Sequence, residues 1–192
     1  MLSNKKGFTL IELLVVMAII GLLSTLAITA VQSAREKAKI TKAQHEIKLI
    51  YNTISIMAND TGEWPGHQAI DVVVTDADNE ICASDKNGNK CQKSGVDIKL
   101  SSDASGLITT DGNFSGWSGP YITKIPLDPW GYEYFFDTDY NIDVNGDPCG
   151  CGGGGCYNVA AIGSYGHDSI SKLYVGSPDS YSCDDIIKII KK

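Results

Sequence analysis

Hydrophobic residues are concentrated near the start of the chain. Residues 8 to 31 are almost entirely apolar, and Glu12 is the one ionisable side chain among them. At about 1.5 Å per residue, a helix of this length is long enough to span a bilayer core of roughly 30 Å. We therefore expect residues 8–32 to form a helix in a membrane or in the core of a filament.

The next segment has a helical pattern of a different kind. Apolar residues recur at spacings of three and four, with charged residues between them. These apolar positions are Ile40, Ala43, Ile47, Ile50, Ile54 and Met57. Gly62 follows as a suitable left-handed cap. The pattern predicts an amphipathic helix over residues 33–62. If it is continuous from Phe8, the whole helix has about 52 residues and a length of roughly 78 Å.

After Gly62, short apolar segments alternate with Gly, Asp, Asn and Ser. Alternating apolar residues or short apolar runs between turn residues predict strands. The candidate strands are residues 71–75, 132–136, 157–162 and 173–175. The predicted fold class is therefore α+β, with a long N-terminal helix packed on a small antiparallel sheet of three or four strands. Residues 63–192 form the sheet-containing head.

Two irregular segments of the head are also predicted. Residues 76–116 are rich in Asp, Asn, Ser and Gly and are expected to form a long loop. Asp128-Pro129-Trp130-Gly131 is expected to form a turn with a buried tryptophan, because Pro fits an early turn position and Gly fits a positive φ.

Composition excludes several functions. The net charge is −7 and the pI is about 4.8, whereas nucleic-acid binders usually carry a basic patch, so no nucleic acid is expected as a partner. No nucleophile elbow or zinc-protease motif is present. The histidines, His45, His67 and His167, are scattered along the sequence. We do not expect an enzyme.

The chain has six cysteines, all outside the predicted helix. They are Cys82, Cys91, Cys149, Cys151, Cys156 and Cys183. An even number confined to an exported domain predicts disulfides. Cys82 and Cys91 flank a short polar loop and are expected to pair, and Cys183 would pair with one of the other three. Zinc is the alternative, but the spacing of Cys149, Cys151 and Cys156 lacks a standard C-x2-C pair.

The N-terminus resembles a known signal. Lys5 and Lys6 precede an apolar run that is too long for an ordinary secretory signal peptide. The stretch KGFTLIELL, residues 6 to 14, resembles the class III signal of type IV pilins and type II secretion pseudopilins. The resemblance implies that prepilin peptidase removes residues 1–7 by cutting after Gly7 and then methylates the amine of Phe8.

The same resemblance gives Glu12 a role in assembly. A carboxylate in hydrocarbon is costly and needs a partner. In this family the partner is the N-terminal amine of the neighbouring subunit, which here is that of Phe8. Such a pair would set the axial register of otherwise featureless apolar helices.

The head resembles the major pseudopilin of type II secretion. The matching segments are WSGPYI at 117–122, IPLDPWG at 125–131, DTGEWP at 60–65, SYGHD at 164–168 and DDI at 184–186. In that family a C-terminal loop binds calcium. The resemblance implies a calcium site drawn from oxygen ligands of Ser164, Asp168, Asp179, Asp184 and Asp185. A rival calcium loop starts at Asp139, but it lacks the closing glutamate of an EF-hand.

Together these features predict a subunit of a type IV pilin-like filament, most similar to the major pseudopilin. The alternative is a major or minor subunit of a type IV pilus, acting in adhesion, motility or ligand capture. The cysteine-bearing segments leave this choice open. The implied partners are copies of the chain, prepilin peptidase, an inner-membrane assembly platform and, before assembly, membrane lipid. The implied location is an inner-membrane anchor with a periplasmic head, and after assembly a periplasmic or extracellular filament.

Overall fold

The structure of the chain is a computed structural model. It describes residues 7–70, 99–143, 156–167 and 185–191. By its internal contacts the chain divides into two units, Met1–Lys39 and Ile40–Lys192. The predicted boundary near residue 32 concerns membrane depth and stays a prediction.

One helix, α1 (Leu10–Thr61), contains 52 residues without interruption. The two predicted helical segments, residues 8–32 and 33–62, are thus one continuous helix, which starts two residues after Phe8. Gly62 ends it with a φ of 77° and donates its N–H to the Ala58 carbonyl at 2.9 Å. This is the left-handed glycine cap that the sequence indicates.

The described part of the head contains two small antiparallel sheets. A hairpin with a three-residue turn is formed by β1 (Glu63–Trp64) and β2 (Gln68–Ala69) directly after α1. The main sheet has the order β3-β4-β5, formed by β3 (Phe135–Ile142), β4 (Tyr157–Ser164) and β5 (Ile186–Lys191). The α+β fold class is confirmed. Two candidate strands, residues 71–75 and 173–175, lie outside the described residues.

Both faces of the main sheet are buried. On one face, Phe136, Ala160 and Ile162 pack with the buried stripe of α1. On the other face, Phe135 stacks on Tyr140 and Tyr165 at ring-centroid distances of 5.4 and 4.6 Å. Because successive residues of a strand point to opposite faces, burial on both sides favours apolar runs such as residues 159–162 of β4 over strict alternation.

Strand β3 begins three residues later than predicted. Tyr132 is tied back to Asp128, whose N–H donates to the Tyr132 carbonyl at 2.7 Å. Residues 128–132 are therefore committed to the turn, and β3 starts only at Phe135. The prediction of a strand from residue 132 is wrong for its first three residues.

Part of the predicted long loop belongs to the core. Residues 103–105 form a short 3-10 helix, and Leu100, Leu107 and Phe114 are buried in the cluster that contains Ile54 and Met57 of α1. The Trp117 Nε1–H donates to the Gly106 carbonyl at 2.7 Å. Residues 99–116 are therefore irregular, as predicted for the loop over residues 76–116, but three of their apolar side chains belong to the core.

Candidate functional site

The start of α1 carries a reciprocal capping arrangement. Thr9 immediately precedes the helix, and its N–H and its hydroxyl donate to Glu12 Oε2 at 2.8 and 2.7 Å. In return the Glu12 N–H donates to Thr9 Oγ1 at 3.3 Å. This is a capping box, in which a Thr and a Glu three residues apart satisfy donors at the helix start.

This capping role of Glu12 was not predicted from the sequence. The signal was a Thr followed three residues later by a Glu at the beginning of an apolar run. The capping box gives the Glu12 carboxylate partners within its own chain. Both Thr9 bonds end on Oε2, and Oε1 accepts no hydrogen bond among the described residues.

The predicted cleavage point lies outside the helix. Gly7 and Phe8 are in irregular backbone and are exposed, with Phe8 at 86% of its full accessibility. The peptide bond between them precedes the first helical residue, so a protease can reach it without unwinding α1. Cleavage and methylation themselves stay predictions.

The first half of α1 exposes nearly all of its apolar side chains. Every residue from Gly7 to Arg35 is exposed. By length and composition, the helix is suitable for crossing a membrane. A helix that is apolar on all sides needs an apolar environment around it, and the described part of its own chain does not supply one.

The turn before β3 is organised by a buried carboxylate. Asp128 is 4% exposed, and its Oδ1 accepts the N–H groups of Trp130 and Tyr132 at 3.0 and 2.8 Å. Its Oδ2 accepts the Ser164 hydroxyl at 2.5 Å. The expected turn is confirmed, with Gly131 at a φ of 97°. The expected buried tryptophan is wrong, because Trp130 is half-buried and the aspartate occupies the interior.

Two of the five predicted calcium ligands are described. Ser164 is fully buried at the end of β4. Its hydroxyl donates to Asp128 and accepts the Gly166 N–H at 3.1 Å. Asp185 is half-buried, and its Oδ2 accepts the Tyr140 hydroxyl at 2.7 Å. The other three, Asp168, Asp179 and Asp184, lie outside the described residues, as does most of the rival loop after Asp139.

The described residues contain no preformed metal cluster. Within residues 7–70, 99–143, 156–167 and 185–191, no group of three His, Cys, Asp or Glu side chains is arranged to hold an ion. Cys156 is half-buried. The remaining cysteines, Cys82, Cys91, Cys149, Cys151 and Cys183, lie outside the described residues, so the disulfides stay a prediction.

A charged cluster was missed because its members are far apart in the sequence. His67 lies at the hairpin turn between β1 and β2, with Nδ1 2.7 Å from Glu63 Oε2 and Nε2 3.0 Å from Asp111 Oδ2. Its ring stacks on Phe114 with centroids 3.9 Å apart. The sequence shows Glu63 and His67 at a suitable spacing but gives no sign of Asp111.

Comparisons with known proteins agree with the N-terminal motif. Residues 2–28 match the family model described as the prokaryotic N-terminal methylation motif. The chain is 29% identical over 172 residues to type II secretion system core protein G of Pseudomonas aeruginosa. The aligned region covers 84% of this chain and 96% of the relative. The protein of the same name from Escherichia coli is 25% identical over 132 residues, covering 69% and 71% of the two chains.

Fimbrial proteins match over a shorter length. A fimbrial protein of Neisseria meningitidis is 34% identical over 74 residues, which cover 38% of this chain and 44% of the relative. No solved structure gave a significant match. The predicted resemblance is confirmed: the chain carries the prokaryotic N-terminal methylation motif on an α+β pilin-like fold and is similar to type II secretion system core protein G.

Proposed function

We propose that this chain is a structural subunit of a type IV pilin-like filament, acting as the major pseudopilin of a type II secretion system. The observation that carries the proposal is the uncovered first half of α1, where every side chain from Leu10 to Arg35 is exposed. The similarity to core protein G over most of both chains supports the same proposed function.

The exposed apolar surface explains why the subunit would change environment. Covering one large aliphatic side chain is worth about 1.5–3 kcal/mol. A bilayer provides that cover to the newly made chain, and neighbouring copies of α1 would provide it in a filament. Because the head packs its own core from Ile40 onward, it can remain folded during the transfer. The role is structural and needs no catalytic group.

Processing would prepare the N-terminus for assembly. We propose that prepilin peptidase cuts after Gly7 and that Phe8 becomes the methylated first residue. The exposed, non-helical backbone at Gly7 and Phe8 supports access to this bond. The new amine would pair with Glu12 of a neighbouring copy, fixing the axial register between helices. The capping box binds Thr9 through Oε2 and leaves Oε1 available for that pair.

Three substitutions separate the charge of Glu12 from its capping role. Gln at the third helical position preserves a capping box but removes the charge. We therefore expect Glu12→Gln and Glu12→Ala to lose sheared filaments alike, whereas Thr9→Ala keeps them. Filament yield is measured by electron microscopy and by the pelleted fraction, with membrane insertion as the control. Normal filaments from Glu12→Gln would contradict the pairing and assign Glu12 to capping alone.

The alternative is a subunit of a type IV pilus, to which the shorter fimbrial matches give weaker support. Deletion of the gene distinguishes the two functions. Loss of proteins from the culture medium, with surface fibres intact, supports the secretion role. Loss of surface fibres with normal secretion supports the pilus. In both cases the newly made chain would be anchored in the inner membrane by α1 with its head in the periplasm.

Calcium is proposed as a ligand of the C-terminal segment, and this rests on the family resemblance. Among the described candidates, Asp185 has carboxylate oxygens of the kind that calcium prefers. The Ser164 hydroxyl is a poor ligand, because it is buried and engaged by Asp128 and Gly166. The principal ligands would therefore be Asp185 together with Asp168, Asp179 and Asp184.

Thermal unfolding of the full chain in detergent micelles tests the calcium proposal. Calcium at about 1 mM, the range of extracellular calcium modules, should raise the midpoint relative to chelator. Asp168→Ala should abolish that shift, and Ser164→Ala should retain it. Identical curves with calcium and chelator would contradict a calcium site.

A further inference from the structure

We propose that His67 is a pH-sensitive clasp that joins the β1–β2 hairpin to residues 107–113 when its imidazole is doubly protonated and releases Asp111 when it loses a proton. The inference concerns the head alone and does not depend on the proposed filament function. It rests on how the ring is placed between two carboxylates from different parts of the fold.

The position of the ring is fixed by its backbone and by packing. His67 has a φ of 60°, a left-handed conformation that is uncommon for residues with a side chain. The preceding Gly66 donates its N–H to the Ala104 carbonyl at 3.1 Å, which ties the turn to the 3-10 helix. One face of the imidazole stacks on Phe114. The ring therefore has little freedom to turn away from either carboxylate.

Both ring nitrogens point at acceptors. Glu63 Oε2 lies 2.7 Å from Nδ1, and Asp111 Oδ2 lies 3.0 Å from Nε2. An ionised carboxylate only accepts hydrogen bonds, and a neutral imidazole has one N–H. The imidazolium satisfies both carboxylates, whereas either neutral tautomer places a nitrogen lone pair against carboxylate oxygens. The arrangement is therefore complete only in the charged form.

The balance of forces also favours the charged form. Burial opposes the imidazolium and is the largest single effect, but the hydrogen bonds and charges of Asp111 and Glu63 together outweigh it and raise the pKa of His67. In turn, the Asn113 N–H and then His67 lower the pKa of Asp111. The charged groups facing the ring are Glu63 from β1 and Asp111 from the segment before Phe114. Asp103 of the 3-10 helix instead accepts the Thr109 hydroxyl.

Glu63 and Asp111 lose different contacts when the His67 imidazolium loses a proton. Glu63 belongs to the same hairpin as His67, whereas Asp111 lies 44 positions away. The β1–β2 pairing therefore holds Glu63 beside the neutral ring, and Asp111 is the carboxylate that is released. Asp111 still accepts the Asn113 N–H at 2.9 Å within its own segment. Release therefore loosens residues 107–113 from the hairpin while β1 and β2 stay paired.

The sign of the pH effect follows from the raised pKa. The clasp stabilises the head fully at pH values below the ordinary histidine pKa of about 6.5, and this contribution is lost as the pH rises through the higher pKa of the folded state. A head exposed to the surroundings of the cell would thus hold residues 107–113 more firmly in mildly acidic conditions.

Histidine titration of the full chain in detergent micelles tests the clasp. The chain is labelled at histidine ring carbons and followed by NMR from about pH 5 to about pH 9, with His67 assigned by its absence in His67→Asn. We expect Asp111→Asn and Glu63→Gln each to lower the His67 midpoint. Glu133→Gln is the matched control, because Glu133 pairs with Lys99 instead, and it should leave the midpoint unchanged. An unchanged midpoint in Asp111→Asn would overturn the clasp.

Amide hydrogen exchange tests the release. After correction for intrinsic exchange, residues 107–113 should exchange several-fold faster above the His67 midpoint than below it, while amides of β4 should not change. His67→Asn, which suits a left-handed position, should remove the pH step and exchange rapidly throughout. Equal corrected rates on both sides of the midpoint in the unaltered chain would overturn the proposal even if His67→Asn is unstable.

Discussion

The two halves of α1 have similar apolar residues but very different surroundings. In residues 10–39 the apolar side chains are exposed on every side of the helix, with Leu22 at 66% of its full accessibility. In residues 40–61 a single stripe is buried, and Ile50 and Met57 are fully enclosed by the head. The pattern of apolar positions, rather than their number, decides whether the chain can cover them itself.

This difference separates folding from assembly. An apolar stripe with polar neighbours specifies one packing face, so the second half can fold with the head. An apolar surface on all sides specifies no face and stays available for lipid or other copies of the chain. The charged residues between the buried positions, such as Lys42 and Glu46, are what give the second half its orientation.

Truncation of one isoleucine in each half of α1 is the strongest test of the difference between the two halves. Ile50→Ala should lower the free energy of unfolding by about 2–5 kcal/mol, because it leaves a cavity in the core. Ile19→Ala removes the same atoms from the exposed half and should change it by less than about 0.5 kcal/mol. Denaturant unfolding of the full chain in micelles, followed by tryptophan fluorescence, reports the head. Equal losses would mean that the first half packs on the head.

A second test removes a polar contact that only the second half makes. The Tyr134 hydroxyl donates to Glu46 Oε2 at 2.6 Å, and burial followed by the Glu46 carboxylate raises the pKa of Tyr134. The phenol is therefore a donor at neutral pH. Tyr134→Phe should cost about 1.5–3 kcal/mol, as expected for a hydrogen bond to a charged group.

Tyr132→Phe is the control for that experiment. The Tyr132 hydroxyl makes no hydrogen bond among the described residues, so its removal should change unfolding by less than about 0.5 kcal/mol. A Tyr134→Phe variant as stable as Tyr132→Phe would show that Glu46 does not anchor α1 to the sheet.

The smallest expected effect is at the start of the exposed half. Thr9→Ala removes the hydroxyl from the capping box and should weaken the first helical turn by about 1 kcal/mol. Amide exchange should increase at residues 10–13 and remain unchanged in the head. If exchange at Ile50 also increased, the two halves of α1 would be energetically coupled instead of independent.

Elements that have a local signal in the sequence were predicted. The amphipathic half of α1, its Gly62 cap and the Asp128–Gly131 turn all have local signals, and each is confirmed. β5 was not among the predicted strands. Its sequence IIKIIK does not alternate, because Ile186 and Ile190 pack on one face of the sheet and Ile187 and Ile189 on the other.

Long-range contacts were the main source of error. Polar composition predicted a loop over residues 76–116, and its described part, residues 99–116, is irregular apart from the 3-10 helix. The composition did not indicate that Leu100, Leu107 and Phe114, seven residues apart, would be buried in the core with α1 and the hairpin. The Asp128–Ser164 bond and the His67–Asp111 contact join residues 36 and 44 positions apart. No local pattern encodes such pairs, because tertiary packing brings them together.

The unbroken course of α1 has a mechanical consequence. A pull on its N-terminal part is carried past Lys39 by the helix itself, since no loop interrupts it. The pull then reaches the buried stripe that ends at Met57, whose contacts lie one after another along the helix. A pull along the helix axis loads all of those contacts at the same time, so they do not break one after another. The head should therefore resist extraction of its helix under tension better than its modest size indicates.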